Sequence, residues 1–434
     1  MSPSKGSNKK SRSLWRLIED SPGIKEGFKE LPEHLNPKTI TTGIVAAVFG
    51  CTGPALIIMD AAEYGGLTRP ETVSWLFAIY FFGGMISIIS AAKYKQPVTG
   101  AWSIPGAVLM MGALQNLTIN QAVGGYFLAG VLVLVLGMSG LVGKVMRWLP
   151  LPIVMGMIAG ALIDFGTDII LSSMEAPLIG GSALFGYLVL PKITRKVPAV
   201  LGALGLGIVM AVLMGQMEFA GVDYGYVAPQ VITPSFSFEA FLSVSLPLAI
   251  LVIGAENAQA VGVMMAKGYR PPINFISIAS GLGGIIASFF GGHNANIAGP
   301  MTAINASEEA GDNLDARYAA AVVCGVVFAL FGIFASVAVA FVGSLPGELI
   351  SIVAGLAMVG VLLSAFEDAF SKAMPFRVGA FFAMVIAMSG ITILEISAPF
   401  WALIGGVIVS YLVEPGDYKK QREENEREEN ELKR

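Results

Sequence analysis

Long and almost uncharged apolar stretches follow one another through most of the chain. Of its 434 residues, 55% are hydrophobic and only 13% are charged, whereas soluble domains carry about 25% charged residues. The run GYFLAGVLVLVLGMSGLVG at 125–143 is continuously apolar, while the strands of an outer-membrane barrel alternate every second residue. The sequence therefore predicts an all-α polytopic membrane protein.

Apolar stretches of about 17 to 25 residues can cross a bilayer, and about 14 are present, two of them short and broken. They begin near Thr39, Val73, Val98, Gln121, Pro152, Ala176, Pro198, Ala240, Pro272, His293, Leu314, Pro346, Pro375 and Leu394. We number the predicted spans 1 to 14 in this order.

Basic residues collect in every second loop, which is typical of the cytoplasmic side. These residues are Lys93, Lys95, Lys144, Arg147, Lys192, Arg195, Lys196, Lys267, Arg270, Arg317, Lys372 and Arg377. Among the opposite loops only the first carries a basic residue, Arg69. The N-terminal stretch is basic but lacks the apolar core of a cleaved signal peptide, and the C-terminal end is densely charged. The pattern predicts a multi-pass protein of the inner (plasma) membrane with both termini in the cytoplasm.

The third and tenth stretches share an unusual interruption. QPVTGAWSIPGAVL at 96–109 and GGHNANIAGPMTAI at 291–304 are both polar at the start and both contain a Pro beside a Gly. They occupy matching positions in two halves of seven spans, and an odd number of spans inverts the second half relative to the first. Paired interruptions of this kind mark the binding site of secondary transporters. We therefore expect two inverted seven-span repeats with short half-helices at spans 3 and 10.

Two half-helices that begin near the bilayer midplane aim free amides and positive dipole ends at one point, which suits an anion. Trp102 adds a flat aromatic wall, although it is equally explained as a packing residue or an interfacial anchor. The predicted substrate-binding residues are Thr99, Trp102, Ser103, Asn257, Gln259, His293, Asn294 and Asn296.

Glu256 stands in the middle of the otherwise apolar stretch LSVSLPLAILVIGAENAQAVGVMMAKG at 242–268. An ionisable residue at this depth costs about 2.5 kcal/mol or more and suggests a function. Because burial favours the neutral form of a carboxyl group, we predict that Glu256 couples transport to protons, in hydrogen-bond contact with His293 or Asn257. The alternative is a protonated Glu256 that only bridges helices.

Few residues could support disulfide formation, metal binding or catalysis. Cys51 and Cys324 lie in apolar stretches, and His34 and His293 are too few for a histidine metal cluster. The sequence contains no P-loop and no dinucleotide-binding fingerprint, and no motif combines a nucleophile with a base and an orienting group. We expect a protein that is not an enzyme, with no cofactor, no metal and no nucleic-acid partner.

The chain resembles the bacterial benzoate/proton symporter family over most of its membrane part. The most specific piece is the PV, AWS and PG pattern of residues 97–106, followed by the helix around Asn257 and the turn from Gly268 to Pro271. FGGHNANIAGPMTAI and the Ala-rich RYAAAVV that follows it are also similar. This family looks like a branch of the wider fold of nucleobase/proton symporters and sulfate or bicarbonate carriers.

Two features depart from the benzoate pattern. Glu256 stands where those relatives tend to have an uncharged polar residue, and His293, Asn294 and Pro300 replace a more apolar motif in span 10. The acidic span 8 is closer to the nucleobase symporters.

The resemblance implies a division into a core domain and a gate domain, with substrate between spans 3 and 10 and the core moving like an elevator against the gate. It also implies a homodimer through the gate domains. The expected boundaries are an N-terminal tail at 1–37, core spans 1–4 at 38–150, gate spans 5–7 at 151–238, core spans 8–11 at 239–343, gate spans 12–14 at 344–414 and a charged tail at 415–434.

The predicted function is secondary active transport, namely proton-coupled symport of a small organic anion such as benzoate or a related aromatic carboxylate. The expected partners are this anion, protons and the lipid bilayer. One alternative is a nucleobase/proton symporter, because Glu256 and the Asn/Gln cluster can pair with amide edges. Another is a carrier or channel for an inorganic anion such as bicarbonate or sulfate. Sodium coupling remains open, although no further carboxylate near the half-helices argues for it.

Overall fold

A computed structural model describes residues 18–140, 150–193, 198–217, 225–394, 396–421 and 423. The predicted loop residues Lys144, Arg147, Arg195 and Lys196 lie outside this part of the chain, as do residues 1–17 of the N-terminal tail and most of the C-terminal tail. Among the described residues, helices form nearly all of the regular structure, in agreement with the predicted all-α membrane protein.

The helices follow one another with short connections. They are α1 (Ile24–His34), α2 (Pro37–Cys51), α3 (Gly53–Tyr64), α4 (Arg69–Tyr94), α5 (Ile104–Leu114), α6 (Ile119–Ser139), α7 (Leu151–Glu175), α8 (Pro177–Ile193), α9 (Ala199–Leu213), α10 (Phe238–Ala266), α11 (Ile273–Ser288), α12 (Gly299–Asn305), α13 (Tyr318–Ile333), α14 (Ala335–Val342), α15 (Gly347–Phe370), α16 (Arg377–Met388) and α17 (Ala398–Val413). Two strands of two residues each, β1 (Gly100–Ala101) and β2 (Asn296–Ile297), precede α5 and α12.

Seven helical segments in the described part are long and apolar enough to cross a membrane, or eight if α17 and the bent helix Pro415–Gln421 count as one span. The seven include α4, α6, α7, α10 and α15, the joined pair α2 and α3, and α13 with its preceding turn. Five further apolar helices have 10–17 residues, which is shorter than the roughly 20 residues that span a bilayer. Length and composition thus support seven or eight spans, and the arrangement of 14 stays a prediction.

Side-chain caps begin several of the membrane helices. Thr68 and Glu71 form a capping box at the start of α4, in which the Glu71 carboxylate accepts from the Thr68 amide at 2.7 Å. Thr118 and Gln121 form the same motif at the start of α6. These side chains satisfy amide groups that have no partner within the helix, so the caps determine where each helix begins.

Small residues bring the helix backbones into direct contact. A Cβ atom built on Gly84 of α4 would lie 2.4 Å from the Gly325 carbonyl oxygen of α13, and one on Gly325 would lie 2.6 Å from the Gly84 carbonyl oxygen. Gly186 of α8 and Gly202 of α9 approach each other in the same way. Close packing of this kind stabilises helix pairs in lipid, where apolar burial contributes little.

The N-terminal helix α1 packs against α4 and is hydrogen-bonded to α13. Glu19, just before it, accepts hydrogen bonds from the Asn274 and Phe275 amides at the start of α11, at 2.7 and 3.1 Å. Glu30 of α1 forms an ion pair with Lys95 after α4, and hydrogen bonding to Lys95 lowers the pKa of Glu30 below its usual value. The segment from Glu19 to His34 therefore belongs structurally to the helices α4, α11 and α13.

Candidate functional site

The two interrupted segments meet at the centre of the molecule. Strand β1 pairs with β2 in antiparallel register, with Gly100 opposite Ile297 and Ala101 opposite Asn296. Helix α5 begins three residues after β1 and α12 begins two residues after β2. The segments that sequence reasoning paired by their Pro and Gly residues are therefore direct neighbours, and their helices start side by side.

Two side chains stabilise the start of α5. One belongs to Asn294, just before β2, and the other to Ser103, the residue that precedes α5. The Asn294 side-chain oxygen accepts from the Ser103 amide at 3.0 Å. The Ser103 hydroxyl caps α5 by accepting from the Gly106 amide at 3.1 Å. Ser103 and Asn294 are almost completely buried, so both act within the protein framework.

His293 is completely buried and uses both ring nitrogens. The Trp75 indole N–H donates to Nδ1 at 3.0 Å. Because an indole can only donate, Nδ1 is an acceptor, and the proton of the neutral ring sits on Nε2, which donates to the Ser103 carbonyl oxygen at 2.9 Å. The predicted role of His293 in substrate binding and proton coupling does not fit this geometry, because neither nitrogen is free. The ring instead braces α4 against the start of α5.

Thr99, Thr302 and Asn305 form a second set of cross-links. The Thr99 amide donates to the Thr302 hydroxyl at 3.3 Å, and the Asn305 amide group donates to the Thr99 hydroxyl at 3.1 Å. All three residues are fully buried. Sequence reasoning missed Thr302 and Asn305, although their spacing along α12 puts them on the side that faces span 3.

Glu256 lies on a π-helical turn of α10, from Val252 to Asn257. Its side chain interacts with the Ser103 hydroxyl and with the Gly299 backbone amide. One carboxyl group therefore contacts the first residues of both half-helices. The residue is only 6% exposed, and this exposed part faces the cavity described below.

Asn257 points away from Glu256, towards α11. Its side-chain oxygen accepts from the Ser280 hydroxyl at 2.9 Å, and the same hydroxyl accepts from the Ile297 amide of β2 at 3.1 Å. Adjacent residues of a helix point in different directions, so that Glu256 faces the cavity and Asn257 supports β2. The predicted hydrogen bond between Glu256 and Asn257 or His293 is not among the contacts of the described residues.

A cavity of about 590 Å³ lies in front of Glu256. Its walls are mainly apolar, with aromatic side chains of Phe49, Trp102, Tyr187 and Phe328. Among the described residues, the only charged side chains in its lining are two carboxyl groups, Glu256 and Asp368, and none is basic. The cavity has the size and the apolar character of a small-molecule site.

Of the predicted site residues, three line the cavity, namely Trp102, Glu256 and Gln259. The others lie behind this wall: Thr99, Ser103, Asn257, His293, Asn294 and Asn296. These six are at most 3% exposed and do not line the space themselves. All but Asn296 form side-chain hydrogen bonds in or next to the interrupted segments. Within the described residues, no group of three or more His, Cys, Asp or Glu side chains is arranged to hold a metal ion.

Gly299 allows Gln259 to approach the start of α12. A Cβ atom on Gly299 would lie 2.2 Å from the Gln259 side-chain oxygen and 2.6 Å from its Cγ and Cδ atoms. Gly299→Ala is therefore expected to push Gln259 out of its position and to weaken substrate binding by about tenfold, since contacts in a pocket are worth about 1–3 kcal/mol. The shift in melting temperature on ligand addition measures this loss.

Gly262→Ala is the matched control, because Gly262 lies in the same helix as Gln259 and a Cβ atom added there would meet nothing within 4 Å. This substitution should leave ligand binding unchanged. Equal ligand binding by the Gly299→Ala protein and the wild type would show that the Gln259 position is unimportant.

Comparison with known proteins gives consistent matches over most of the chain. Residues 33–412 match the family model described as benzoate membrane transport protein. The chain is 33% identical to inner membrane protein YdcO of Escherichia coli over 370 residues, which cover 85% of this chain and 94% of that protein. It is 28% identical to a benzoate membrane transport protein of Acinetobacter baylyi over 386 residues, covering 89% of this chain and 98% of the relative.

Two solved structures with a similar fold are described as a bicarbonate transporter and an anion transporter. The transmembrane domain of the cyanobacterial bicarbonate transporter BicA aligns with a TM-score of 0.60 at 17% identity, covering 86% of this chain and 97% of that domain. Murine Slc26a9, described as an anion transporter in the inward-facing state, aligns with a TM-score of 0.58 at 13% identity, covering 94% of this chain and 73% of the other. At these identities the likeness concerns the fold.

Proposed function

Since the chain belongs to the benzoate membrane transport protein family and is thus a membrane transporter and not an enzyme, we propose that it carries a small aromatic carboxylate together with protons. A relative that is similar over nearly its whole length is named a benzoate membrane transport protein. Benzoate is therefore the first substrate to test.

The charge of the cavity is the observation that carries this proposal. An anionic substrate in front of Glu256 meets no basic side chain in the described lining. Two like charges 4 Å apart repel each other by about 4 kcal/mol at an effective dielectric constant of 20. Substrate anion and ionised Glu256 therefore exclude each other, whereas a protonated Glu256 accepts the anion and can donate a hydrogen bond. Each bound anion thus brings one proton with it.

The walls of the cavity match the two ends of an aromatic carboxylate. Phe49, Trp102 and Phe328 offer apolar and aromatic contacts to a flat ring. Ile104, in the first turn of α5, also lines the cavity, and the positive dipole end of this 11-residue helix favours a negative charge. The carboxylate of the substrate therefore points towards Ile104 and Glu256, and its ring towards the aromatic residues.

The packing of the helices supports inverted repeats. Helix α4 packs along α13 and α6 along α11, which correspond to spans 2 with 11 and 4 with 9. Helix α8 packs on α9 and α16 on α17, which correspond to spans 6 with 7 and 13 with 14. Each span has its counterpart seven places away in the other repeat. The pair of spans 2 and 11 then corresponds to the pair 9 and 4, and the pair 6 and 7 to the pair 13 and 14, as two seven-span repeats require.

The same contacts support a core and a gate. The pairs of α4 with α13 and α6 with α11 lie inside the proposed core, and α7 packs mainly on α15 and α16 inside the proposed gate. Helix α5 follows β1 and belongs to the core, whereas Leu151, Ala199 and Asp368 on the other side of the cavity belong to the gate. An elevator-like movement of the core would carry Glu256 and the substrate past these gate residues.

The cavity lining reaches the second half of α8 and the end of α15. Basic residues Lys192 and Lys372 follow the cavity residues Tyr187 and Asp368 at these ends, which supports a cytoplasmic position. We infer an inward-facing state with both termini in the cytoplasm.

Uptake into proteoliposomes tests the proposed function. Purified protein should accumulate labelled benzoate when the outside is more acidic than the inside, and an ionophore that dissipates the proton gradient should stop accumulation. Adenine, uracil, bicarbonate and sulfate are offered as competitors in the same assay. No benzoate uptake, together with uptake of labelled nucleobases or inorganic anions, would overturn the substrate class. Uptake that ignores the proton gradient would overturn the coupling.

A further inference from the structure

A second carboxyl group lines the cavity, on a different helix from Glu256. Asp368 lies near the end of α15, one turn after Ser364, and both residues line the cavity. Asp368 is partly buried, whereas the neighbouring Glu367 is exposed and does not line the cavity. Sequence analysis did not single out Asp368, because it lies close to the end of an apolar stretch, where acidic residues are common.

The charges around Asp368 leave it without a cationic partner in the described structure. Among the described residues, Glu367 is the charged side chain whose field acts on Asp368. Helix α9 carries no charged residue, and Asp164, Asp168 and Glu175 lie in the second half of α7. The remaining titratable or charged groups on the elements packed against α15, or next to it in the chain, are Asp60, Glu63, Tyr64, Tyr187, Lys192, Glu348, Lys372 and Arg377. None of these forms an ion pair with Asp368 among the described residues.

The two carboxyl groups belong to different helix groups. Glu256 lies on α10 against the half-helices, and Asp368 lies on α15, which packs on α7, α8 and α9. Both face the same cavity of about 590 Å³, which is large enough to hold water molecules between them. Tyr187 and Ala199, on the neighbouring helices α8 and α9, line the cavity on the same side as Asp368.

We propose that Asp368 accepts the proton that Glu256 releases to the cytoplasm and passes it to bulk water. This inference rests on the proposed proton-coupled function. Once the substrate has left, the Glu256 carboxylic acid loses its proton to cavity water, and the Asp368 carboxylate takes up a proton from that water. Asp368 then releases the proton to the solvent, so both groups end as carboxylates and the protein has given up the one proton that Glu256 carried. Because Asp368 is on the proposed gate, it faces Glu256 only when the site is open to this side.

Asp368→Asn separates proton release from substrate movement. Net uptake driven by a proton gradient requires Glu256 to lose its proton on the inside in every cycle, whereas exchange of labelled for unlabelled benzoate at equal pH on both sides does not. We expect the variant to lose net uptake by about tenfold or more, the scale on which one proton-transferring group acts, while exchange stays at the wild-type rate. Asp368→Glu, which keeps the carboxyl group, should restore net uptake.

Glu367→Gln is the matched control, since it removes a neighbouring carboxylate that does not line the cavity. It should leave both assays unchanged. Wild-type net uptake and exchange in Asp368→Asn would overturn the proposal, and so would an equal loss of both, which would indicate a role in substrate binding or folding. Failure of the proposed function itself has a different signature, because the wild-type protein would then show no proton-driven benzoate uptake.

Discussion

Glu256→Gln is expected to abolish proton-driven accumulation of benzoate while leaving benzoate binding intact. Glutamine has the shape and the neutral charge of protonated glutamate, so the anion no longer meets a negative charge. In the wild type, binding should strengthen as the pH falls, because Glu256 becomes neutral, and it should weaken as the pH rises and Glu256 ionises. The difference in benzoate affinity between the two forms of Glu256 is on the order of a thousandfold, given a repulsion of about 4 kcal/mol between like charges about 4 Å apart. The variant should bind with the same affinity across the pH range.

Thermal shift and uptake measured on the same preparations test this expectation. The melting temperature with saturating benzoate, measured at several pH values, reports binding, because a ligand of the folded state raises stability by mass action. Glu239→Gln, which removes a carboxylate at the start of the same helix, is the control and should keep the wild-type pH dependence. Proton-driven accumulation by the Glu256→Gln protein, or an unchanged pH dependence of its binding, would exclude Glu256 as the proton site.

His293→Leu is expected to destabilise the protein strongly without changing the pH at which transport is half-maximal. The substitution leaves the buried Trp75 indole N–H without a partner and removes one of the two hydrogen bonds to the Ser103 carbonyl oxygen, which still accepts from the Ala107 amide. Each unsatisfied buried group costs about 1–3 kcal/mol, so the melting temperature should fall clearly. His293→Gln, which can replace one of the two hydrogen bonds, should lie between the wild type and the leucine variant.

The pH profile distinguishes a brace from a proton relay. Trp75→Phe removes the hydrogen bond to Nδ1 from the other side. Because Trp75→Phe and His293→Leu remove the same bond, the double variant should lose less melting temperature than the sum of the two single losses. If His293→Gln folds well but moves the pH midpoint of benzoate uptake, His293 takes part in proton transfer and the interpretation as a brace is wrong.

Particular residues explain how far sequence reasoning reached into the site. The β1–β2 contact was predictable, because Pro105 with Gly106 and Pro300 with Gly299 interrupt two apolar stretches at matching positions. Glu256 could be singled out from the sequence, because a carboxylate in an apolar membrane helix costs free energy and suggests a function. The π-helical turn in the middle of α10 could not be predicted, since nothing in VIGAEN announces it, and the sequence alone does not say that Asn257 points away from the cavity.

The assignment of polar residues to the cavity was less successful. The sequence pattern groups His293, Asn294 and Asn296 as ligands, but His293 and Asn294 bond to the start of α5 and none of the three lines the cavity. A polar residue beside an interrupted helix has two uses, holding the broken backbone or holding the substrate, and residue type alone does not distinguish them. Asp368 presents the opposite case, because it resembles an ordinary helix-end residue until α7, α8 and α9 enclose the space in front of it.

By itself the sequence determined that this protein is a helical membrane transporter of the benzoate family, and that two broken segments and one buried carboxyl group distinguish it from a simple helix bundle. Hydropathy and helix-breaking residues act locally, so these features can be read from the chain. Only the tertiary structure decided which polar groups face the cavity, because hydrogen bonds such as that from Trp75 to His293 join residues more than two hundred positions apart. It likewise decided that the cavity contains two carboxyl groups and no described basic side chain, since its lining is drawn from helices spread along the whole chain.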